Sequence, residues 1–448
     1  MTQRVAIVGS GPSGFYAVQA LFKADPDVRC DLLERLPTPY GLVRGGVAPD
    51  HQKIKSVVRA YEKTATEERF RWFGNVELGR DVTIDELLER YDRVVLAVGA
   101  QSASRLGIPG ENLRGSYTAT EFVAWYNAHP DYQDRTFPLD ADDAVVVGVG
   151  NVAMDVARIL AAPRSHLAPT DITDTALASL DRDRRVRVHV LGRRGPAQAA
   201  FTPKEIQEIS AIEGIDVRTV KKEVKLDPLS EAWLDAEGTR ANRDNVDFVQ
   251  SRTGMRLRTA RAEMWLRFCV SPVALLGDDR VEAVKVEHNR IVERDGRLSC
   301  EGTGVFEEIP AGIVLAAVGY RSVPIPGVPF DVRRGLIPNE AGQVVDGDVP
   351  VEDLFVVGWA KRGPSGLIGT NRLDSTATVT TMMRTPVMNP AQGPDPEAWL
   401  RERVPQLVTW AEWEQLDAHE TQRGTEKGKV RDKFASVTEM LAHLKDQR

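Results

Sequence analysis

Two adjacent arginines, Arg193 and Arg194, directly follow a strand-like run, VRVHVLG at residues 186–192. A nucleotide-binding unit usually carries an acid at this strand end, where it accepts a hydrogen bond from a ribose hydroxyl. Two guanidinium groups can instead hold a 2′-phosphate through charge-assisted, bidentate hydrogen bonds. The alternative is a pair of solvated surface charges, and the position after this strand favours the phosphate site.

A glycine-rich turn precedes these arginines, and the chain contains two such turns. VAIV leads into Gly9, Gly11 and Gly14, and AVVV leads into Gly148, Gly150 and Ala153 at the same spacing. The first glycine permits the tight bend, the second lets the backbone approach a pyrophosphate, and the third position packs helix against strand. The pyrophosphate then lies at a helix N-terminus, which favours an anion. Because each turn has a strand before it and a helical pattern after it, the sequence predicts two dinucleotide sites.

The residues after the next strand distinguish the two sites. In the first copy the strand CDLLE ends at Glu34, 20 residues past Gly14, where a carboxylate can accept a hydrogen bond from a ribose 2′-OH. In the second copy the arginines begin 40 residues past Ala153, so residues 163–183 must form an excursion. The first site is therefore predicted to take FAD or NAD, and the second NADP.

The order of elements predicts an α/β fold with two Rossmann-like domains. Each half closes on a second apolar strand that ends in glycine, RVVLAVGA at 93–100 and IVLAAVGY at 313–320. The predicted division is a discontinuous domain for the FAD or NAD site, residues 1–103 and 324–448, with an NADP-binding domain, residues 104–323, inserted into it. AWLRERV, WAEWEQL and VTEMLAHLK predict a helical C-terminal tail. Residues 227–244 lack clear periodicity and are predicted to form a loop.

Composition limits the class of protein. The chain has 448 residues, 42% of them apolar, and a net charge of -7, which argues against general nucleic-acid binding. Its cysteines, Cys30, Cys269 and Cys300, have no C-x-x-C spacing, so neither a disulfide framework nor a zinc site is expected. No apolar run approaches the roughly 18 residues of a membrane span. A soluble protein of the reducing cytoplasm, without a bound metal, is expected.

Four longer motifs carry a family resemblance: PTPYGLVRGGVAPDH (37–51), GNVAMDVARIL (150–160), RRGPAQAAFTPKE (193–205) and GWAKRGPSGLIGTN (358–371). Together they resemble the adrenodoxin reductase family, and more closely its bacterial branch of NADPH–ferredoxin reductases. The resemblance covers nearly the whole chain. It implies an FAD enzyme that moves electrons from NADPH to a small iron–sulfur protein of the ferredoxin or adrenodoxin type. A cytochrome P450 is among the systems that such an enzyme could serve.

The resemblance also implies cofactor contacts, residue by residue. For FAD these are Ser13, Glu34, Leu42, Val82, Trp359, Gly366, Leu367 and Ile368. For NADP they are Val149, Gly150, Asn151, Val152, Arg193, Arg194, Glu205 and Gly366. The family usually has an amide side chain where Val149 stands, so a contact there is through the backbone. SGLIGTN precedes the helical pattern TATVTTMMR, which could present backbone N–H groups to the flavin's pyrimidine edge.

Three residues are candidates for catalytic roles. The resemblance places His51 and Asp155 beside the flavin and the nicotinamide, where they would order water or relay a proton. The resemblance also implies that Glu205 binds the carboxamide of the nicotinamide. The plainer alternatives are a structural histidine, a helix-stabilising acid and a surface glutamate. The sequence has no arrangement typical of an activated nucleophile, and none is needed, because the cofactors carry the chemistry.

An acidic iron–sulfur partner requires a basic face, and two sets of residues are candidates. The first is the run Arg252, Arg256, Arg258, Arg261 and Arg267, which is opposed by one acid, Glu263. The second set, Lys55, Arg59 and Lys63, recurs every four residues on a predicted helix. For each set, a solvated charge run is the alternative.

Other functions remain open at this stage. A quinone reductase, a monooxygenase or a non-catalytic FAD/NADP-binding redox sensor would share both nucleotide sites. A disulfide reductase would also share them, but it needs a reactive cysteine pair, which the sequence lacks.

Overall fold

The computed structural model describes residues 3–180, 185–254 and 260–447. Within that part of the chain the strands are β1 (Arg4–Val8), β2 (Arg29–Leu33), β3 (Phe70–Gly74), β4 (Arg93–Leu96), β5 (Ser102–Ala103), β6 (Ser116–Thr118), β7 (Asp143–Val147), β8 (Val186–Gly192), β9 (Ile215–Thr219), β10 (Ala262–Phe268), β11 (Val270–Leu276), β12 (Ala283–Arg294), β13 (Arg297–Pro310), β14 (Ile313–Ala316), β15 (Tyr320–Arg321), β16 (Asn339–Glu340), β17 (Gln343–Asp346), β18 (Val349–Val356) and β19 (Val408–Thr409).

The α-helices are α1 (Pro12–Ala24), α2 (Leu42–Gly45), α3 (Gln52–Lys55), α4 (Val58–Ala65), α5 (Ile84–Arg90), α6 (Ala119–Tyr126), α7 (Asn151–Ala161), α8 (Arg164–Leu167), α9 (Asp174–Leu180), α10 (Pro203–Ala211), α11 (Pro228–Ala236), α12 (Arg240–Ser251), α13 (Trp359–Arg362), α14 (Thr370–Arg384), α15 (Pro396–Arg403), α16 (Trp410–Glu426) and α17 (Val437–Gln447). Pro130–Tyr132 and Pro196–Gln198 form 3₁₀ turns. None of the helices in the described residues combines the length and the apolar character that a membrane crossing requires.

The chain divides into two compact units. Unit 1 comprises residues 1–102, 127–133 and 319–448, and unit 2 comprises residues 103–126 and 134–318. The predicted division placed its boundaries at 103/104 and 323/324, and it did not separate residues 127–133 from the inserted domain.

Unit 1 is built on an eight-stranded sheet in the order β16-β17-β18-β4-β1-β2-β3-β19. Its five central strands are parallel, and antiparallel strands close both edges. Apolar residues cover both faces, because Val5 and Ile7 of β1 belong to one core cluster while Ala6 and Val8 belong to the other. Such two-sided burial explains why these strands read as continuous apolar runs.

Unit 2 contains a six-stranded parallel sheet in the order β6-β14-β7-β8-β10-β9. A three-stranded antiparallel sheet, β11-β12-β13, supplies Val270, Val284 and Val286 to a core shared with Val145 and Val147 of β7. Both units are therefore α/β folds whose central parallel strands order the loops at their carboxyl ends.

The prediction of a loop at residues 227–244 is wrong, because α11 and the start of α12 occupy it. The side chain of Asp227 accepts hydrogen bonds from the N–H groups of Leu229 and Ser230, with Pro228 at the first helical position. Thr239 and Asn242 form a reciprocal capping box at the start of α12. These caps were the available sequence signal. The helical C-terminal tail was predicted, and α15, α16 and α17 confirm it.

The second basic set does not share one helix. Lys55 closes α3, whereas Arg59 and Lys63 lie on α4. Lys55 is buried, and its ammonium group donates to the side-chain oxygen of Asn127 at 3.4 Å. A buried lysine cannot offer its charge to a docking protein, so Lys55 is wrong as a member of this set, whereas Arg59 and Lys63 are exposed.

Candidate functional site

The first glycine turn joins β1 to α1, and its backbone geometry explains why glycine occupies each of the three positions. Gly9 has φ +106°, and a Cβ there would lie 2.5 Å from the carbonyl oxygen of Ala97. A Cβ on Gly14 would lie 2.1 Å from the carbonyl oxygen of Gly9, so helix and turn pack directly on each other. A Cβ on Gly11 would meet only the Cα of Gly41, at 4.0 Å, so this position is open where a pyrophosphate would approach.

The carboxylate of Glu34 is held beside this turn. Val8 and Leu33 are register partners in β1 and β2, so Gly9 and Glu34 leave the sheet side by side. One carboxylate oxygen of Glu34 accepts from the backbone N–H of Ser10 at 3.0 Å and from its hydroxyl at 2.7 Å. The other accepts from the N–H of Leu36 at 3.2 Å. These bonds fix an anionic acceptor at the strand end, where a ribose hydroxyl would donate.

Ser13 and the C-terminal motif meet in unit 1. A Cβ on Gly358 would lie 2.1 Å from the hydroxyl oxygen of Ser13, so the residue before Trp359 touches the first turn of α1. The Ser13 hydroxyl donates to the side-chain oxygen of Asn371 at 3.2 Å, and the Ser375 hydroxyl donates to the backbone carbonyl of Ser13 at 3.0 Å. Ser13 thus lies against Gly358, the residue that precedes the predicted FAD contact Trp359.

Trp359 begins α13 and is only partly buried. Its ring centroid lies 5.5 Å from that of Tyr320, and its indole N–H donates to the carbonyl of Ser365 at 3.3 Å. These contacts orient the indole beside the loop that contains Gly366.

The segment Gly366–Ile368 precedes α14, a helix of 15 residues, as the sequence pattern predicted. The N–H of Leu367 donates to the hydroxyl of Thr370 at 3.1 Å, while the Leu367 side chain is 63% exposed. Gly366 is exposed, and Ile368 is half-buried against the core of unit 1. The hydrogen bond from Leu367 to Thr370, the first residue of α14, therefore orders the loop.

Leu42 and Val82 differ in what they can offer to a cofactor. Leu42, the first residue of α2, is 37% exposed, and its side chain is accessible. Val82 is buried in the core of unit 1, and its carbonyl accepts from the N–H of Gly79 at 2.7 Å. The side chain of Val82 is thus committed to the core, which leaves the backbone for any contact.

The second glycine turn, between β7 and α7, repeats the geometry of the first. Gly148 has φ +129°, and a Cβ there would lie 2.5 Å from the carbonyl oxygen of Ala317. A Cβ on Gly150 would meet nothing within 4 Å, so this position is open as well. Ala153 takes the third position and is fully buried. The turn is suited to a pyrophosphate at the N-terminus of α7.

Hydrogen bonds from residues 200–202 fix two more of the predicted residues in this turn, Asn151 and Val149. The side-chain oxygen of Asn151 accepts from the N–H of Thr202 at 2.9 Å. The carbonyl of Val149 accepts from the N–H of Ala200 at 3.0 Å, and Val152 is partly exposed on the first turn of α7. Residues 200–202 therefore anchor the start of α7 and lead directly to Glu205.

Arg193 and Arg194 lie just beyond the carboxyl end of β8. Their backbone is fixed, because the carbonyl of Arg193 accepts from Asn289 at 2.8 Å and that of Arg194 accepts from the N–H of Cys269 at 3.0 Å. Arg193 is exposed and Arg194 is partly exposed. Neither guanidinium forms an ion pair with any residue that the structure describes, so both remain available to an anion.

Sequence reasoning missed Arg158, a residue of α7 whose side chain is 2% exposed. It donates to Asp155, one turn earlier, at 2.7 Å and also forms an ion pair with Glu205 of α10. Two of the three predicted catalytic residues therefore share one buried guanidinium. The available signals were the i, i+3 spacing to Asp155 and the apolar neighbours of Arg158 in VARIL.

His51, the third predicted catalytic residue, lies in unit 1 at the N-terminus of α3 and is partly buried. Its backbone carbonyl accepts from the N–H groups of Ile54 at 3.0 Å and Lys55 at 3.2 Å. A short helical turn thus fixes its backbone.

The predicted basic run does not form one exposed face. Arg267 is buried and binds Glu223 at 2.8 Å and Glu307 at 2.8 Å, so it is wrong as a docking residue. Burial lowers the pKa of Arg267, but these two carboxylates outweigh burial and hold the pKa above its ordinary value. A strand position among apolar neighbours required internal partners for the charge.

Of the other four members of the run, the structure describes Arg252 and Arg261. Arg252 is partly buried over the ring of Phe248, 4.5 Å from its centroid, and Arg261 is partly exposed. Arg256 and Arg258 lie outside the described residues.

Three free cysteines bear on the type of redox chemistry. Cys30 is buried, and Cys269 and Cys300 are partly buried. Burial raises the pKa of Cys269 to about 12 and raises that of Cys30 well above its ordinary value. Both thiols are therefore held protonated and are poor nucleophiles.

Comparisons with known proteins agree with this geometry. A family model described as pyridine nucleotide-disulphide oxidoreductase matches residues 3–267. The chain is 46% identical to an NADPH-ferredoxin reductase FprA of Mycobacterium tuberculosis, with 98% of each chain covered. It is 40% identical to the human mitochondrial NADPH:adrenodoxin oxidoreductase, with 99% of this chain and 92% of the relative covered. A structure of Mycobacterium tuberculosis FprA in complex with NADPH superposes with a TM-score of 0.93 at 44% identity and covers 99% of each chain.

Proposed function

The chain belongs to the pyridine nucleotide-disulphide oxidoreductase family, in the adrenodoxin reductase group that includes bacterial FprA, and on this premise we propose that it is an NADPH–ferredoxin reductase. It takes electrons from NADPH and passes them through FAD to a small iron–sulfur protein. The observation that carries the proposal is the contrast between two nucleotide turns of the same backbone geometry, one beside Glu34 and the other beside Arg193 and Arg194.

We assign FAD to unit 1. Gly11 leaves room for the pyrophosphate, and the fixed carboxylate of Glu34 offers an acceptor for the ribose of the adenosine. Ser13, Trp359 and the loop Gly366–Ile368 would border the isoalloxazine, with Leu42 packing beside the cofactor. When bound, FAD accepts a hydride from NADPH and releases its two electrons one at a time.

We assign NADPH to unit 2. The open Gly150 at the start of α7 fits the pyrophosphate, and the guanidinium groups of Arg193 and Arg194 would clamp the 2′-phosphate. Glu205 would accept a hydrogen bond from the nicotinamide carboxamide. Arg158 forms ion pairs with that carboxylate and with Asp155, and so orients both side chains.

His51 and Asp155 are proposed to order water or a proton near the reacting rings. No side chain has to act as a nucleophile, since the bonds that change belong to the cofactors. The protonated thiols of Cys30 and Cys269 favour this reaction over disulfide reduction, the activity that the family name includes. A protein with three free cysteines suits the reducing cytoplasm, where we place it.

The test is the cofactor content and turnover of the purified protein. We expect a yellow protein that releases FAD on denaturation, oxidises NADPH in preference to NADH, and reduces an added ferredoxin. Extraction of FMN alone, or of no flavin, contradicts the assignment of unit 1. NADPH oxidation that reduces a quinone but no iron–sulfur protein of any cluster type favours the quinone reductase alternative.

A further inference from the structure

The backbone of Arg193 and Arg194 lies beyond the end of β8, in a segment that belongs to no helix or strand. Both carbonyl groups are nevertheless bound. The carbonyl of Arg193 accepts from the side-chain amide of Asn289 at 2.8 Å, and that of Arg194 accepts from the backbone N–H of Cys269 at 3.0 Å. Asn289 belongs to β12 and Cys269 joins β10 to β11, so neither donor comes from the nucleotide turn.

A further hydrogen bond connects the two donors. The backbone N–H of Asn289 donates to the carbonyl of Cys269 at 2.7 Å. Arg193, Arg194, Cys269 and Asn289 therefore form a closed ring of three hydrogen bonds and one peptide bond, which we call the anchor ring. Because a shift of either arginine carbonyl would stretch a bond of the anchor ring, the ring fixes the backbone from which both guanidinium side chains extend.

The position of Cys269 follows from the order of the strands. Phe268, the last residue of β10, is the register partner of Gly192, the last residue of β8. Cys269 is the single residue between β10 and β11, and its φ of +55° is uncommon for a residue with a Cβ. This conformation turns the chain directly from the parallel sheet into the antiparallel sheet. Cys269 therefore leaves the parallel sheet beside the two arginines.

Asn289 lies at an irregular position of β12. The pairing of β12 with β13 shifts between Glu287 and Asn289, while on the other side His288 pairs with Val270 of β11. Asn289 is partly buried, and its amide nitrogen also donates to the hydroxyl of Ser271 at 2.8 Å. An amide nitrogen carries two hydrogens, so these two acceptors use both of them and fix the orientation of the side chain.

The first nucleotide turn orders its strand-end charge in another way. There the carboxylate of Glu34 accepts directly from Ser10 and Leu36, which lie in or next to that turn. Neither guanidinium of the arginine pair forms an ion pair within the described part of the chain. The anchor ring is thus what orders the pair before a phosphate binds.

We propose that Asn289 is a positioning residue for the 2′-phosphate of NADPH, an inference that rests on the proposed function. By binding the carbonyl of Arg193 and, through Cys269, that of Arg194, it presents both guanidinium groups to the phosphate. An arginine whose backbone is already ordered loses less conformational entropy when it binds a ligand. Asn289 therefore strengthens the binding of nucleotides that carry a 2′-phosphate and does not affect those that lack one.

Binding of two adenosine nucleotides to the FAD-loaded, oxidised protein tests the inference. Adenosine 2′,5′-bisphosphate carries the 2′-phosphate and adenosine 5′-monophosphate lacks it, so the ratio of their Kd values isolates that group. Asn289→Leu keeps the approximate size of the side chain and removes its donor. We expect calorimetry to give a Kd for the bisphosphate about fivefold above wild type, with the Kd for the monophosphate nearly unchanged. The KM for NADPH should rise by a similar factor, while kcat at saturating NADPH stays near wild type.

The matched control is Thr303→Val, on the same pair of strands. The Thr303 hydroxyl donates to the carbonyl of His288 at 2.7 Å, so this variant removes a hydrogen bond to the neighbour of Asn289 and leaves the anchor ring intact. We expect both Kd values to stay near wild type. Equal weakening of the bisphosphate by Thr303→Val and Asn289→Leu would assign the effect to the strand pair and overturn the role of Asn289.

Two more variants at position 289 keep the test decisive. Asn289→Gln retains an amide donor, so it should recover part of the affinity for the bisphosphate that Asn289→Leu loses. Asn289→Ala removes the donor without adding bulk and replaces the leucine variant if that protein does not fold. An Asn289→Ala protein that folds and binds the bisphosphate as tightly as wild type contradicts the inference.

A combination of variants separates this inference from the proposed function. If Asn289 acts through the arginines, adding Asn289→Leu to Arg193→Ala with Arg194→Ala should not raise the Kd for the bisphosphate further. A further rise as large as in the wild-type background overturns the positioning role but leaves the 2′-phosphate site standing. If the two arginine substitutions weaken the bisphosphate no more than the monophosphate, the assignment of the 2′-phosphate to these arginines fails as well.

Discussion

The two glycine turns of this protein share a backbone and differ in the charge placed beside it. In the first, Val8 pairs with Leu33 in register, and Glu34 follows. In the second, Val147 pairs with Leu191, so the residue that corresponds to Glu34 is Gly192. Arg193 and Arg194 come immediately after. We therefore expect the backbone of each turn to bind the pyrophosphate, which all dinucleotides share, and one or two side chains at the strand end to decide which nucleotide fits.

The helices after the two turns differ in the same way. Counted from Gly11 and Gly150, Arg158 of α7 corresponds to Gln19 of α1. Gln19 is partly exposed, and its amide donates to the hydroxyl of Thr64 at 2.9 Å. Arg158 is buried between two carboxylates. The second copy thus adds a charged network to a shared scaffold, and the site that we assign to nicotinamide lies on that addition.

The largest expected effect comes from removing this network. Arg158→Met deprives Asp155 and Glu205 of their shared guanidinium, and breaking a buried ion pair costs about 3–5 kcal/mol. We expect a corresponding fall in the free energy of unfolding, measured by denaturant titration, and a lower kcat with NADPH. Gln19→Met is the matched control on α1 and should change stability by less than about 0.5 kcal/mol.

A positioning role for Arg158 can be separated from a purely structural one. Arg158→Lys restores a cation that can reach one carboxylate. We therefore expect it to restore more of the free energy of unfolding than of kcat. If kcat in the folded Arg158→Met protein equals that of wild type at saturating NADPH, the network stabilises unit 2 without orienting Glu205.

The strand-end arginines should give the next largest effect. Changing both Arg193 and Arg194 to Ala removes charge-assisted hydrogen bonds worth about 1.5–3 kcal/mol each. The KM for NADPH should therefore rise on the order of 100-fold or more, while the KM for NADH changes little. Steady-state kinetics with both nucleotides measures this. An unchanged preference for NADPH would mean that the pair is solvated surface charge.

Local patterns in the sequence predicted the parts of the site that local physics controls. The glycine turns, Glu34 and the two arginines depend on backbone sterics and on strand ends, which short motifs encode. Arg158 and Arg267 depend on partners 47 and 44 residues away in sequence, Glu205 and Glu223. The spacing in the sequence can pair Arg158 with Asp155, but only the fold shows that Glu205 and Glu223 neutralise Arg158 and Arg267.

The prediction of a loop at residues 227–244, where α11 lies and α12 begins, failed for a different reason. The buried apolar residues of α12, Val246, Phe248 and Val249, lie beyond residue 244, whereas both caps lie within the window, with Asp227 before Pro228 and Thr239 opposite Asn242. A prediction based on apolar spacing alone overlooks helices whose ends are better specified than their faces.

Glu34→Gln should give the smallest of the three effects, on FAD rather than on NADPH. The carboxylate accepts from Ser10 and Leu36 on its two oxygens. An amide keeps one acceptor and turns an N–H group toward a donor, so one hydrogen bond is lost and the ribose acceptor is weakened. A net loss near 1.4 kcal/mol predicts an FAD Kd about tenfold higher, measured by titrating apoprotein with FAD.

This substitution also tests whether the two strand ends act independently. Glu34 and the arginines lie after β2 in unit 1 and after β8 in unit 2, so at saturating FAD the ratio of KM for NADPH to KM for NADH should stay at its wild-type value. The reciprocal expectation is that loss of Arg193 and Arg194 leaves the FAD Kd unchanged, since independent sites contribute additively. If Glu34→Gln shifts nucleotide preference as strongly as it weakens FAD, the two copies are energetically coupled. Strand-end charge would then not select each nucleotide separately.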